Sequence, residues 1–562
     1  MIAVFVLAAA GGAASADTRP WVEARSANFV VVSDAGAKEA RRIAARFEQI
    51  RGVFHSVWPT ARLGTGEPIV ILGAKNEGSL KELLPEYWEK KGATRIAGVF
   101  FRSSERQYVA LRTDVGDEVQ GMNPYLLLYH AYVHALLDLN FESMPVWLGE
   151  GLADFWGNTI VRDDAISQGK PIAHHVQVLR ERGTMPLRVL LKVDHQSPEY
   201  NEETRASVFY AQSWALVHLL LTDGTSAGAK QLNAFLALRG QGVPEDDALV
   251  RAFGDLTRLE KELDRYIRQY AFRYSVRKGD FAAKDEAIAV RSLSPAESLA
   301  VRGAFMAQRD RKQEARALLD EALSLDPSLA VAHEGRGFLA WREGRNDDAR
   351  AAFAQAAALD SKSALTHFLY GTLLLEGPDD AKSLEAAAAA FQRSVDLNHD
   401  SAPAYAMLAQ TLARTGTPPE LALPLARRAV SLEPATASHR LTVARLLIEA
   451  GKAEDARKEI ARALALAKSY AERAYAGRLL DWANEKEAAP VNGGKGLAVD
   501  PASAAKQYQQ ACDRGDGAGC FNLAERQASG FGVVKDTAAA AKNYRKACDA
   551  GYRPACAKAG PK

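Results

Sequence analysis

Apolar and polar positions change their period several times along this chain. Residues 27–34, Ala-Asn-Phe-Val-Val-Val-Ser-Asp, form a short β-rich run closed by turn formers. Ile43, Phe47, Ile50 and Phe54 then recur at steps of three and four, which predicts an amphipathic helix. Residues 68–72 predict a second strand. Residues 97–101 and 107–111, split by the polar tract Arg102–Arg106, predict a hairpin. From about Pro124 the pattern is mainly helical, so residues 17–280 read as one mixed α+β domain. Ahead of it, the apolar run at 2–10 ends in Ala14-Ser15-Ala16, which has the form of an export signal spanning residues 1–16, although no Lys or Arg precedes it. No later stretch reaches the roughly 18 uninterrupted apolar residues that cross a bilayer. No cysteine follows the signal to carry a lipid. The mature chain is therefore expected to be exported, periplasmic or secreted, and soluble.

Beyond residue 280 a longer period takes over. Gly303, Gly337 and Gly371 are 34 residues apart, as are Ala315 and Ala349, and Leu325 and Leu359. Leu397, Leu432 and Leu466 continue at steps of 38, 35 and 34, the extra residues falling at the turn Gly377-Pro-Asp-Asp380. Asp326-Pro327 and Glu433-Pro434 close two of the units, while Asp360-Ser361 and Asn398-His399 depart from that pattern. The segment resembles the tetratricopeptide repeat (TPR), with about five units over 297–471 inside a region 281–484. That resemblance implies stacked helix pairs whose concave face takes a protein or peptide partner. The alanine run 386–390 belongs to helix packing.

A charged, Pro- and Gly-containing linker is expected at 485–499. After it, residues 500–562 carry a period of 36: Asp500-Pro-Ala-Ser-Ala-Ala-Lys-Gln-Tyr508 recurs as Asp536-Thr-Ala-Ala-Ala-Ala-Lys-Asn-Tyr544. Cys512, Gly515 and Cys520 map onto Cys548, Gly551 and Cys556. This resembles the cysteine-containing Sel-like repeat. Four cysteines allow three pairings, or four reduced thiols, or a zinc knuckle. The repeat resemblance selects Cys512–Cys520 and Cys548–Cys556, a choice that suits an oxidising compartment.

Composition narrows the class. At 562 residues the chain is long enough for roughly three to five domains. With 48% apolar and 25% charged residues it is ordinary globular material, which excludes a wholly disordered chain. Its 71 Lys and Arg against 69 Asp and Glu leave a net charge of +2, which argues against a dedicated nucleic-acid binder. The fold class expected is multi-domain: an α+β N-terminal domain followed by an all-α solenoid.

The chemistry is concentrated in residues 125–156. His130 and His134 stand at i and i+4, so on a helix they project from one face, one turn apart, as two imidazoles on one Zn²⁺ require. Sixteen residues on, Glu150 lies in Trp147-Leu-Gly-Glu-Gly-Leu-Ala-Asp154, where a carboxylate would complete a two-His, one-Glu site. Asp154, one turn further, suits a hydrogen bond to a ligand imidazole. The stretch resembles the gluzincin metallopeptidases, in which H-E-x-x-H is followed by a ligand Glu and an Asp four residues later. Within that clan it is most similar to the peptidase MA-like domains, a likeness that covers about residues 20–275 and includes 197–200 and 209–218. It implies a zincin-like fold, one zinc ion on His130, His134 and Glu150, and Asp154 behind them. It also implies a downstream Tyr or His that polarises the scissile carbonyl, for which Tyr210 is the candidate and His218 a weaker one.

One departure matters most. The family's general-base Glu is Ala131 here, and Leu127, Leu128 and Ala135 nearby on the helix are apolar. Asp138, one turn past His134, is expected to support a ligand imidazole rather than to replace the base. Loss of a general base lowers rate by about 10²–10⁴. The expected protein binds zinc and carries a protein-interaction tail, with impaired peptide hydrolysis. The alternative is a non-catalytic interaction scaffold or pseudopeptidase. His174, His175 and His195 lie in polar surroundings and are expected to face solvent. No phosphate loop, nucleophile elbow or dinucleotide fingerprint is present.

Overall fold

The computed structural model describes residues 20–488 and 508–558, leaving out 59–60, 65, 90–95, 103–105, 117–118, 120–121, 142–143, 163, 223–226, 279–287, 379, 511, 514, 516, 530–532, 551–552 and 557. The expected export signal at 1–16 lies outside these residues, and so does the expected linker beyond residue 488.

The N-terminal elements run β1 (Val22–Arg25), β2 (Phe29–Ser33), α1 (Ala37–Val57), β3 (Ile69–Ala74), α2 (Glu77–Leu83), α3 (Glu86–Glu89), β4 (Gly98–Arg102) and β5 (Gln107–Arg112). Helices α4 (Leu126–Asn140) and α5 (Val146–Gly157) follow, then β6 (Ile160–Val161) and β7 (Ala165–Gln168). Next come α6 (Ala173–Arg182), α7 (Leu187–Leu190), α8 (Pro198–Asn201), α9 (Glu203–Thr222), α10 (Ala227–Gly240), α11 (Glu245–Phe253) and α12 (Leu256–Ile267), before β8 (Ser275–Lys278) and β9 (Ala289–Ser292). Six strands form one sheet in the order β4-β5-β3-β2-β1-β9. Its inner pairs, β2/β3 and β3/β5, are parallel, with Val31 opposite Ile71 and Ile71 opposite Val109; the outer pairs are antiparallel. Strands β6, β7 and β8 make a small antiparallel sheet.

Strand alternation gives the main sheet two apolar faces. Phe29, Val31, Ile71, Val109 and Leu111 point one way and join Ile43, Phe47, Ile50 and Phe54 of α1 and Tyr129, Tyr132 and Leu136 of α4. Val30, Val32, Leu72, Tyr108 and Ala110 point the other way. That second face packs on Trp21, Leu80 and Leu83, and on Phe305, Met306, Leu319 and Leu339 from the first repeat helices. The sheet therefore takes both a strand (β9) and an apolar cover from residues beyond 280.

The chain forms two compact units, residues 1–377 with 393–400, and residues 378–392 with 401–562. In the first, α13 (Pro295–Gln308) pairs with α14 (Lys312–Leu325) and α15 (Ala330–Arg342) with α16 (Asn346–Ala358), followed by α17 (Ala364–Leu375). The start of α13 is fixed by a capping box: Ser294 Oγ accepts from the Glu297 amide at 3.2 Å, and Glu297 Oε2 accepts from the Ser294 amide at 2.8 Å. The 34-residue period now has a packing cause. Ala315 and Ala349 are fully buried, and a side chain at Gly337 would run into the ring of Phe353. Leu325, by contrast, is 55% exposed, so that repeating position is not part of the core. Helix α18 (Ala381–Leu397) spans the border in sequence. The second unit then pairs α19 (Ala402–Arg414) with α20 (Pro419–Leu432), and α21 (Ala437–Glu449) with α22 (Ala453–Leu466). Helix α23 (Tyr470–Ala488) ends that run, continuing four residues into the expected linker. Each unit thus carries paired helices in series, and the first also holds the N-terminal sheet region. Among the described residues, no helix is long and apolar enough to cross a membrane.

Near the C-terminus, Gly517–Ser529 and Thr537–Asp549 are helices, the latter capped by Asp536, which accepts from the amides of Ala538 and Ala539. Cys512–Cys520 and Cys548–Cys556 are the disulfides, with Cα–Cα distances of 4.3 and 4.8 Å. Closing loops this short restricts the unfolded chain by about 2–3 kcal/mol each. Reduction is therefore expected to lower the stability of this segment by about that amount per bridge, read by thermal unfolding with and without a phosphine reductant.

Candidate metal centre

Two apolar helices carry the centre. Helix α4 buries Leu128, Tyr129, Tyr132, Val133, Leu136 and Leu137, and α5 is buried along nearly its whole length. Asn123 ties the start of one to the end of the other: its amide donates to Asn158 Oδ1 at 2.8 Å, and its Nδ2 donates to the Thr159 carbonyl at 2.6 Å. On its far side α5 lies directly on α9, where a side chain at Gly151 would press on the Ser213 carbonyl. Only glycine permits that approach. Toward α4 the close approach is at Gly157, where a side chain would meet the Leu126 carbonyl and the His130 amide.

These supports bring His130, His134 and Glu150 together. One ligand atom from each lies within 4.8 Å of the others, and this is the one such group of three among the described residues. His130 Nε2 is 3.1 Å from His134 Nε2, and Glu150 Oε2 is 3.2 Å from the first and 3.3 Å from the second. Tetrahedral ligands about 2.0–2.1 Å from a zinc ion stand about 3.3 Å from one another. The three atoms thus form one face of such a tetrahedron, and the donor set of two imidazoles and a carboxylate fits zinc.

Asp154 is buried and divides its oxygens between two rings. Oδ1 lies 2.8 Å from His130 Nδ1, and Oδ2 lies 2.7 Å from His175 Nε2. An Nδ1–H donated to Asp154 leaves the His130 Nε2 lone pair toward Glu150 and His134. Electrostatics follow from this packing in the metal-free protein. Burial alone would lower the pKa of His130, but its hydrogen bonds to Asp154 and Glu150 prevail and raise it to about 9. Burial likewise opposes ionisation of Glu150, yet the bonds from His130 and His134 bring it down to about 2. Asp154 is held below the ordinary carboxylate range by His130 and His175, again against burial.

A tyrosine pair stands behind Glu150. The Tyr200 hydroxyl donates to Glu150 Oε1 at 3.3 Å, and the Tyr210 ring packs against that of Tyr200 with centroids 5.8 Å apart. Burial and the nearby carboxylate raise the Tyr210 hydroxyl above its usual value, so it stays protonated. Tyr210 thus connects to the cluster through Tyr200. Ala131 sits partly buried beside His130 and brings no carboxylate, and Asp138 is exposed.

Several expectations change. His175 does not face solvent: it is a partner of Asp154, with its ring 5.8 Å from that of Trp214. His174 and His195 are exposed, as expected, and the His195 ring packs edge-on to Tyr200 at 5.0 Å. His218 is not aimed at the centre. Its Nε2 donates to the Gly169 carbonyl at 2.6 Å, and its Nδ1 accepts from the Tyr266 hydroxyl at 2.5 Å. Burial pulls its pKa to about 4, so it is a neutral core histidine. Sequence reasoning missed His175 and Tyr200. The only signal for Tyr200 was its place in the family-like stretch 197–200.

No protein-family model matches the chain, and no curated protein sequence does. Among solved structures it is similar to YrrB, described as a TPR protein with an unusual peptide-binding site, at 20% identity and TM-score 0.30 over 33% of this chain and 92% of that one. It is also similar to MamA, at 20% identity and TM-score 0.27 over 30% and 91%. A third is PilF of Pseudomonas aeruginosa, at 19% identity and TM-score 0.25 over 42% and 90%. The helix pairs are defined by this chain's own packing and by its 34-residue period.

Proposed function

We propose that this protein is a non-catalytic, metal-binding pseudopeptidase that works as an interaction scaffold. In this reading its gluzincin-like domain holds one zinc ion on His130, His134 and Glu150, and its TPR and Sel-like helices take a protein or peptide partner. The observation that carries it is the convergence of three ligand atoms with mutual separations of 3.1–3.3 Å, beside a helix position occupied by Ala131. A bound zinc ion supplies Lewis acidity at the position left open by three protein ligands. The residues do the rest: Asp154 sets the His130 tautomer, and Tyr200 holds one oxygen of Glu150. Proton removal from a nucleophile has no group assigned to it, because Ala131 cannot accept a proton. Two disulfides and the A-x-A segment support export to an oxidising compartment.

The purified protein is expected to retain close to one equivalent of zinc by elemental analysis, and His134→Ala to lose it. Zinc below about a tenth of an equivalent after reloading, unchanged by His134→Ala, would sink the metal reading and leave the scaffold alone.

A further inference from the structure

We propose that Tyr200 is a positioning residue that restricts Glu150 to one metal-facing oxygen, a role that rests on the zinc-site reading above. Glu150 presents its two oxygens to different surroundings. Oε2 lies 3.2 Å from His130 Nε2 and 3.3 Å from His134 Nε2, while Oε1 is turned away and accepts from the Tyr200 hydroxyl at 3.3 Å. A carboxylate with both oxygens free can grip a cation through either or both. One whose second oxygen is held by a hydroxyl is biased toward offering the first. With two imidazoles, that makes three protein ligands and keeps the next position open.

The tyrosine is itself held in place. Its ring packs against Phe209 and Tyr210 with centroids 5.8 Å away, and against His195 at 5.0 Å. These ring contacts fix where the Tyr200 hydroxyl lies, at 3.3 Å from Glu150 Oε1. Tyr200 and Tyr210 come from α8 and α9, whereas Glu150 comes from α5, so the restraint joins elements that are distant in sequence. Hydroxyls that orient a ligating carboxylate change metal affinity typically by 10–100-fold when removed.

The test uses the full-length protein, stripped of metal and loaded with Co²⁺, whose visible absorption is strong in four-coordinate sites and weaker in sites of higher coordination. Tyr200→Phe keeps the ring and removes only the hydroxyl. The expected result is a weaker visible band, as Glu150 Oε1 joins Oε2 on the metal, with zinc affinity changed by about 10–100-fold in competition with a chelator. Thermal unfolding of the metal-free variant should match that of the unaltered protein, which a merely structural tyrosine would not allow. An unchanged spectrum and affinity overturn the proposal, as does a stronger band, the mark of a lost ligand. Should Tyr200→Phe not fold, Tyr200→Leu carries the test with the same readouts: a weaker band supports the proposal and an unchanged spectrum overturns it. Absence of Co²⁺ and Zn²⁺ uptake by the unaltered protein overturns the metal reading and this role with it. Uptake with no response to either substitution overturns the role of Tyr200 alone.

Discussion

Ala131→Glu is expected to give the zinc-loaded protein chelator-sensitive peptide hydrolysis, about 10²–10⁴ above that of the unaltered chain. The substitution changes one side chain next to His130, in the middle of α4, where Glu is a good helix former and costs well under about 1 kcal/mol of propensity. It adds the group that the gluzincin pattern places there, and Ala131 is only partly buried, so the carboxylate has access to solvent. Cleavage of a quenched-fluorescent peptide library, with and without phenanthroline, reads the outcome. A fully zinc-loaded Ala131→Glu protein that cleaves nothing would show that more than the base is missing, and would make binding the whole of this domain's role.

Asp154→Asn is the second substitution with a large expected effect. An amide can accept from only one of His130 and His175 and must donate to the other, and it removes the negative charge beside His130. Breaking a buried charged pair typically costs about 3–5 kcal/mol, and disturbing a group behind a metal ligand costs about 10–100-fold in affinity. The pH dependence gives an independent reading. In the metal-free protein the pKa of His130 is raised from 6.5 to about 9, so the protonated ring stabilises the folded state. That contribution is fully present below pH 6.5 and is lost as pH rises through about 9. Its size is about 3 kcal/mol. Urea unfolding of the stripped protein should therefore weaken across that interval, and Asp154→Asn should flatten the curve. A variant that keeps both the slope and the zinc affinity would show that Asp154 does not govern His130.

What could be read from the chain alone has a physical boundary. The helix carrying Ile43, Phe47, Ile50 and Phe54 was legible because it is amphipathic, and the repeats were legible because Ala315, Ala349 and Gly337 occupy positions where only small residues fit. Strands β8 and β9 were not legible. Ser-Val-Arg-Lys and Ala-Val-Arg-Ser are mostly exposed and too short to alternate. The site divided in the same way. His130, His134, Glu150 and Asp154 share two neighbouring helices, so helical spacing alone juxtaposes them. His175 and Tyr200 arrive from α6 and α8, and only tertiary packing decides that they meet Asp154 and Glu150. His218, the weaker candidate for polarising a carbonyl, shares α9 with Tyr210, but the Gly169 carbonyl and Tyr266 take both its nitrogens.

The back of the main sheet has a consequence for modularity. Only Leu293 and Ser294 separate the last strand from the first repeat helix, and the Leu293 amide bonds the Trp21 carbonyl at 2.9 Å. Phe305, Met306 and Leu319 then serve two masters, the repeat stack and the sheet. A different repeat array grafted at this junction would leave Val30, Val32 and Leu72 bare unless it supplied the same side chains. The border most visible in the amino-acid pattern is therefore not one at which the two halves can be exchanged, and any recombination that respects the fold has to carry the first repeats along with the sheet.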